Sequence, residues 1–583
     1  MAIKTRNSAW ATVAGLSLLV ILGASLRLHN LGEKSVTHVE MYVPGIRLPH
    51  GISFPEERLT MVKVLTGTLN SDTHPPAYYM LMWAWTRCFG TSAWSIRLPS
   101  ALLGTACIPI VFWLGMLTRQ EAAGWIAAAL VAVNGHQVFW SQVARMFTLA
   151  CCLGLLATIL LLRIAKKSHV SWSLQVLYVA VLLSGLCSHI FFWLILAAHM
   201  FWTLLNAWSQ RQALPDAARL QFLALILGSP LLAFSAYQNG NTLASLSNNF
   251  LVYAREYLQF GFVFPLLGYS SGVFPYSGKI SAIDDPHLSI GRWLFFLLSL
   301  FLFVLGVSSA RQSAEKLLSD PRGPSSKAWL LAAGLGTLAI LTFVLMAKVF
   351  AKPHPNPTLR TTELMIVLPF LLALLAICVQ RNWEQLTSWR TALVNSRFLI
   401  GDPALVLVLA VVPFVALAVI SLFKPMFNAR GMLLLAPYPI LILASGVVRL
   451  ARHRVAAALL LIAIGIGHYA GLKAYDHMST GRADYKAFAA ALASKVEKLD
   501  LVFLHPEFYS TPLFFYMNSG WDRIVGRNYE GACRKNPRDR IWALWFYNYE
   551  EEPSARIQEA LSNYQAVETI EVSGGRAVLY VPR

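Results

Sequence analysis

The layout of this chain turns on Pro76-Ala77-Tyr78-Tyr79-Met80-Leu81-Met82-Trp83-Ala84-Trp85-Thr86-Arg87-Cys88-Phe89, a largely apolar stretch of fourteen residues. A helix needs about 20 apolar residues to cross roughly 30 Å of hydrocarbon, so this length suits an interfacial or re-entrant helix better than a span. Counting it as a span would turn every later Lys/Arg group to the outer side and invert the positive-inside pattern. It is therefore read as a helix lying at the outer surface, with Tyr78, Tyr79, Trp83 and Trp85 as candidate belt aromatics.

Outward from that stretch, the 583-residue chain is 56% hydrophobic and 13% charged, with many uninterrupted apolar runs. This is the composition of an all-α polytopic membrane protein. The first run, Trp10 to Leu26, follows Lys4 and Arg6 like a signal peptide but lacks a small-residue cleavage site, so a retained anchor is expected. A net charge of +19 could suggest nucleic acid. The basic residues instead recur in short groups between apolar runs, which is the positive-inside pattern and argues for a membrane and against nucleic acid as partner.

Thirteen spans fit, at about 9–26, 98–118, 122–139, 145–163, 172–188, 190–208, 220–237, 291–310, 328–349, 363–380, 402–422, 430–448 and 455–471. The inside segments then hold Lys4 and Arg6; Arg119; Arg163, Lys166 and Lys167; Arg211 and Arg219; Arg311, Lys316, Arg322 and Lys327; Arg381, Arg390 and Arg397; and Arg449, Arg452 and Arg454. This puts the N-terminus in the cytoplasm. It divides the chain into a membrane domain, 1–472, with a first outer loop at 27–97, and an outer tail, 473–583. Helix-like and strand-like patterns alternate in the tail through Tyr485–Val496, Leu501–Leu504, Ser510–Met517, Arg540–Phe546, Pro553–Asn563, Val567–Val572 and Ala577–Val581, predicting a small extracytoplasmic α/β domain. At about 110 residues it is large enough for its own core. Of seven cysteines, only Cys88 and Cys533 fall outside the membrane on the outer side, so neither a disulfide framework nor a metal-ligand spacing is visible.

Glu40, in Ser35-Val36-Thr37-His38-Val39-Glu40-Met41-Tyr42, reads either as a solvated loop acid or as a carboxylate able to take a proton from an attacking hydroxyl. In Asp72-Thr73-His74-Pro75-Pro76-Ala77-Tyr78-Tyr79 the prolines fix an extended corner and then open a helix, leaving Asp72 and His74 before its N-terminus. Outer tips carry Arg145 in Ser141-Gln142-Val143-Ala144-Arg145-Met146-Phe147, Lys352 and Arg360 around Lys352-Pro353-His354-Pro355-Asn356-Pro357, and Lys424 and Arg430 in Lys424-Pro425-Met426-Phe427-Asn428-Ala429-Arg430. Singly, each reads as a snorkelling charge. Together they suit the gripping of a phosphate.

These residues give the chain a resemblance to GT-C glycosyltransferases of the protein O-mannosyltransferase and aminoarabinose-transferase group (glycosyltransferase families 39 and 83). The resemblance rests on Glu40 after the first span, the His74 to Tyr79 run, Arg97-Leu98-Pro99-Ser100, Ser141-Gln142 with Arg145-Met146, Arg430 before a proline-containing span, and a tail opening Asp484-Tyr485-Lys486. It implies a sugar moved, with inversion, from a polyprenyl phosphate to a glycan, lipid or protein acceptor on the outer side of the membrane. It further implies a general base in the first outer loop, Glu40 or else Asp72, with His74, Tyr78, Tyr79, Arg145, Lys352, Lys424 and Arg430 around the donor. No cofactor is predicted, and neither His38 with Glu40 nor His74 belongs to a metal-ligand set. A bacterial inner (plasma) membrane is the expected location. Val39 and Val143 stand where the group commonly has acids, which keeps open a non-catalytic member. A transporter or flippase of lipid-linked sugars could use the same cations, but would show inverted repeats and midplane charges.

Overall fold

In the computed structural model the described residues are 2–46, 60–65, 74–167, 169–209, 216–242, 302–307, 401–423, 431–451, 454–480, 484–505, 510–517, 521, 523–525, 528–546, 557–572 and 575–583. The expected spans 328–349 and 363–380, and 291–310 apart from 302–307, fall outside them, so the count of thirteen stays an expectation.

The membrane part is helical: α1 (Ala2–Leu28), α2 (Ala77–Phe89), α3 (Ala93–Leu117), α4 (Glu121–Val133), α5 (Gly135–Ser141), α6 (Phe147–Ala165), α7 (Trp172–Leu186), α8 (Phe192–Ser209), α9 (Asp216–Thr242), α10 (Asp402–Phe423), α11 (Pro437–Leu450) and α12 (Arg454–Thr480). Among the described residues three helices are long and apolar enough to cross a membrane, or four if α4 and α5 count as one bent span. The deciding stretch forms α2, thirteen residues that bury Tyr78, Tyr79, Met82 and Thr86.

Two expected spans differ from their sequence reading. The run 122–139 is broken into α4 and α5 by a 55° bend, because Asn134 leaves the helix and its side chain caps α5 by accepting from the Gln137 amide. The run 430–448 opens as a 3₁₀ turn, Gly431–Leu434, before α11. Close helix contact explains Gly115 and Gly124: a Cβ on Gly115 would come 2.5 Å from the Gly124 Cα. Small residues at such crossings let two backbones approach within van der Waals range, the main source of helix association in lipid.

The tail folds as α13 (Tyr485–Leu492), β1 (Leu501–His505), α14 (Ser510–Phe515), β2 (Ile524–Val525), α15 (Tyr529–Lys535), β3 (Ile541–Phe546), β4 (Tyr564–Val572) and β5 (Gly575–Pro582). Its five strands lie in the order β2-β1-β3-β5-β4. The β1 pairings with β2 and β3 are parallel; those of β5 with β3 and β4 are antiparallel. Alternation along the strands gives each face a core. Val502, Leu504, Trp542 and Leu544 pack with Phe488 and Leu492 of α13 and Leu513 of α14. Leu501, Phe503, Ile541 and Ala543 pack with Tyr529 and Cys533 of α15 on the other face. Helices on both faces of a largely buried sheet are what the near-continuous apolar runs in β1 and β3 require.

Candidate functional site

Thr37 ends the extended chain after α1, and a 3₁₀ turn over His38–Tyr42 follows, with Glu40 at its third position. The Glu40 side chain turns back and is 0% exposed. Its Oε2 accepts from the Thr37 amide (2.9 Å) and hydroxyl (3.1 Å), half of a capping box. Arg97, in the first turns of α3 and 1% exposed, closes a bidentate pair: Nε donates to Oε1 at 2.7 Å and Nη2 to Oε2 at 2.8 Å. A fifth donor, the Ala144 amide, reaches Oε1 at 3.1 Å. The remaining Arg97 donors hold the carbonyls of Leu31, Lys34 and Ser35 at 2.8–2.9 Å. An ionised carboxylate offers about four lone-pair sites, so five donors fill it. Glu40, expected as the general base, sits as an acceptor hub that ties the loop to α3 and to the tip after α5, and can take a proton only by giving up one of these bonds.

That tip is Ser141 to Arg145. Gln142 Nε2 donates to the carbonyls of Leu26, Arg27 and His29, closing the C-terminal end of α1, while its Oε1 accepts from Lys34 Nζ at 2.9 Å. Arg27 points the other way and donates to the carbonyls of Val131 and Ala132 at the end of α4. A cation at a helix C-terminus is stabilised by the partial negative charge there. Val143, where an acid was expected, is buried in the main apolar core.

Arg145 is 6% exposed and donates from Nη1 to the Tyr79 hydroxyl at 2.7 Å; its guanidinium lies over the Tyr42 ring at 5.5 Å. Its carbonyl accepts from Ser100 Oγ at 3.2 Å, and that oxygen is 3.1 Å from the Tyr78 hydroxyl. Burial pushes the Tyr78 phenol up, against the lowering effects of Ser100 and Arg145. The structure thus gathers Tyr78, Tyr79 and Arg145 from stretches far apart in sequence, around the Glu40–Arg97 pair.

His74 stacks on His189, with ring centroids 6.0 Å apart. His189 Nδ1 accepts from the Phe191 amide at 3.0 Å, which assigns the neutral ring's proton to Nε2. Phe147 links this pair to Trp140 through ring contacts of 5.6 and 5.0 Å. The N-terminus of α2 is pinned there too, Ala77 donating to the Cys187 carbonyl at 2.8 Å. A Cβ on Gly431 would meet the Phe191 ring at 2.5 Å and His189 at 3.0 Å, so this position excludes a side chain beside the stacked histidines. Buried Trp140 Nε1, Gln137 Nε2 and Thr148 Oγ1, near the same aromatic group in sequence and in α5 and α6, have no hydrogen-bond partner among the described residues.

Asp72, Lys352, Lys424 and Arg430 lie outside the described residues. Among those described, no group of three or more His, Cys, Asp or Glu could hold a metal. No task for Arg97 or Gln142 is legible in the sequence, and neither is one for His189. Its signal was position alone: it falls between the runs 172–188 and 190–208, where an outer hairpin tip was expected.

No family model and no curated protein matches the chain. Among solved structures, ArnT from Cupriavidus metallidurans, in the apo state and bound to undecaprenyl phosphate, is 12% identical with a TM-score of 0.39, covering 98% of this chain and 98% of that one. The oligosaccharyltransferase AglB from Archaeoglobus fulgidus, in complex with an inhibitory peptide and a dolichol-phosphate, is 12% identical with a TM-score of 0.44, covering 98% of this chain and 74% of that one. The chain is thus similar, at 12% identity, to membrane-embedded transferases.

Proposed function

We propose that the protein is a membrane glycosyltransferase that moves a sugar from a polyprenyl phosphate to a glycan, lipid or protein acceptor at the outer face of a bacterial plasma membrane. The observation that carries this is Arg145, a buried guanidinium oriented by the Tyr79 hydroxyl and walled by Tyr42. A buried arginine aimed by a phenol suits a phosphate, because its planar fork matches phosphate oxygens through paired hydrogen bonds. In the step proposed, the acceptor oxygen bonds to the anomeric carbon with inversion as the bond from that carbon to the phosphate oxygen breaks. The electron pair leaves with the lipid phosphate, and Arg145 stabilises the growing charge. The hydroxyl proton passes to a carboxylate. With Glu40 occupied by five donors, that role is assigned to Asp72 on chemical grounds, with Glu40 in reserve. His74 is assigned to the donor phosphate, as are Lys352, Lys424 and Arg430.

One observation favours a second reading, a lipid-phosphate-binding protein without transfer activity: the one carboxylate at the described site has no lone pair to spare. Purified protein in nanodiscs would be tested for binding of undecaprenyl phosphate and for release of that lipid from a sugar-charged donor mixture. Binding that weakens at least tenfold in Arg145→Ala, together with turnover abolished in Asp72→Asn, is the expected result. Unchanged affinity in Arg145→Ala would remove it from the site, and binding without any turnover would select the second reading.

A further inference from the structure

The first outer loop and the tail meet through contacts that bridge about 450 positions of sequence. Ser35 Oγ donates to Asp484 Oδ1 at 2.7 Å and accepts from the Lys486 amide at 3.1 Å. The same Asp484 oxygen caps α13 by accepting from the Ala487 amide. One residue along, the Val36 amide donates to the Tyr516 hydroxyl at 2.7 Å. The Tyr516 ring packs on the membrane-domain core and on the α13 face of the sheet alike, so it is shared by the two parts. Lys486 Nζ lies 3.9 Å from Glu33, an exposed pair that adds little.

What makes this contact more than a docking surface is the second use of the same residues. The carbonyls of Lys34 and Ser35 are those that Arg97 holds. Ser35 therefore has its carbonyl on Arg97 and its hydroxyl on the tail. From Arg97 the connection runs through the Glu40 carboxylate to the Ala144 amide, the peptide neighbour of Arg145. Apart from the bond from the exposed Lys486 amide, each link is a hydrogen bond between buried or half-buried groups.

We infer that Tyr516 and Asp484 are positioning residues: the tail clamps the first outer loop, sets the Arg97–Glu40 pair, and through it aims Arg145, so that the site is incomplete without the tail. The inference rests on the reading of Arg145 as the phosphate grip. It assigns the tail a task within the site and does not require it to bind an acceptor.

The test uses the full-length protein in nanodiscs, with Tyr516→Phe, Ser35→Ala, Asp484→Ala and Asp484→Asn compared with the parent. Tyr516→Phe keeps the ring and removes only the acceptor for the Val36 amide. Hydrogen exchange would be read at residues 29–46, and affinity for undecaprenyl phosphate beside it. Expected are faster exchange at Val36, Glu40 and Val43 and an affinity about fivefold weaker in Tyr516→Phe and Ser35→Ala, the scale of one lost hydrogen bond. Asp484→Asn, which keeps an acceptor for both Ser35 Oγ and the Ala487 amide, is expected to behave as the parent where Asp484→Ala does not. Faster exchange confined to 484–583, with the loop unchanged, overturns the clamp. A loosened loop with unchanged affinity overturns its link to Arg145. If the parent and Arg145→Ala alike fail to bind the lipid, the proposed function fails, while faster exchange at Val36 in Tyr516→Phe still supports the clamp.

Discussion

Glu40 shows how far a single position can be read before its neighbours are known. Its place after the first span marked it as important, and it is the hub of a buried hydrogen-bonded group. Its task was not legible, because three of its five donors come from Arg97 and the Ala144 amide, 57 and 104 residues further along. A carboxylate written in a polar loop looks solvated; the same carboxylate under five donors is an anchor. The two roles separate cleanly in Glu40→Gln. As an anchor, Glu40→Gln leaves the Arg97 guanidinium buried without its counter-ion, a loss of about 3–5 kcal/mol. The expected outcome is a marked fall in thermal unfolding temperature in detergent, and Arg97→Met, which also strips the donors from the Leu31, Lys34 and Ser35 carbonyls, is expected to destabilise at least as much. An unchanged unfolding temperature with abolished turnover would return Glu40 to the role of base. The replacement of an expected acid by Val143 has a plain account at this scale as well: the side chain is buried in the main apolar core, where an unpaired carboxylate would be costly.

At the scale of elements, apolar length located the helices well and their breaks poorly. Hydropathy sums over a window and is blind to one residue leaving the helix, so Asn134 and the Gly431–Leu434 turn passed unnoticed, although both lie beside the site. Hidden for the same reason was a polar ladder inside the bundle. Thr158 Oγ1 of α6 lies 3.1 Å from His199 Nε2 of α8 and 2.9 Å from the Tyr438 hydroxyl of α11. His199 Nδ1 is 3.4 Å from the Tyr178 hydroxyl of α7, which accepts from Gln221 of α9 at 3.1 Å. Five helices are thus joined by hydroxyl, imidazole and amide groups with the hydroxyl of Thr158 as the branch point. Thr158→Val keeps shape and removes the branch. A loss of about 1–2 kcal/mol is expected, since transmembrane hydrogen bonds are worth that much at most. Unfolding in mixed micelles measures it, and a neutral result would mean that packing alone holds these helices.

For the whole molecule, the division into a helical membrane part and an α/β tail was legible, because strand-like alternation and apolar runs too long for strands are different periodicities. Four of the tail's five strands fell close to the expected segments, with β4 reaching back to Tyr564 and α13 stopping at Leu492, while β2 and α15 lie where no element was expected. Strand order and the mixed parallel and antiparallel pairing were not legible, since pairing joins residues whose sequence separation carries no pattern. Sidedness remains a prediction about the whole, and the structure changes how it should be tested. Cys533 is a poor probe: it is 9% exposed and packed under the sheet, and burial pushes its thiol up, leaving less of the reactive thiolate. Cys88 at the end of α2 is exposed, and Glu571 is exposed on β4, the strand at one edge of the sheet. If α2 does not cross the bilayer, Cys88 lies outside, and so does the tail, which hydrogen-bonds to the loop at Ser35 and Val36. Both sites must then share one side. A membrane-impermeant maleimide applied to intact cells stripped of any outer barrier is expected to label Cys88 and the thiol introduced by Glu571→Cys to the same extent. Labelling of either only after the membrane is opened would mean that α2 crosses after all, or that the positive-inside reading of the chain is inverted.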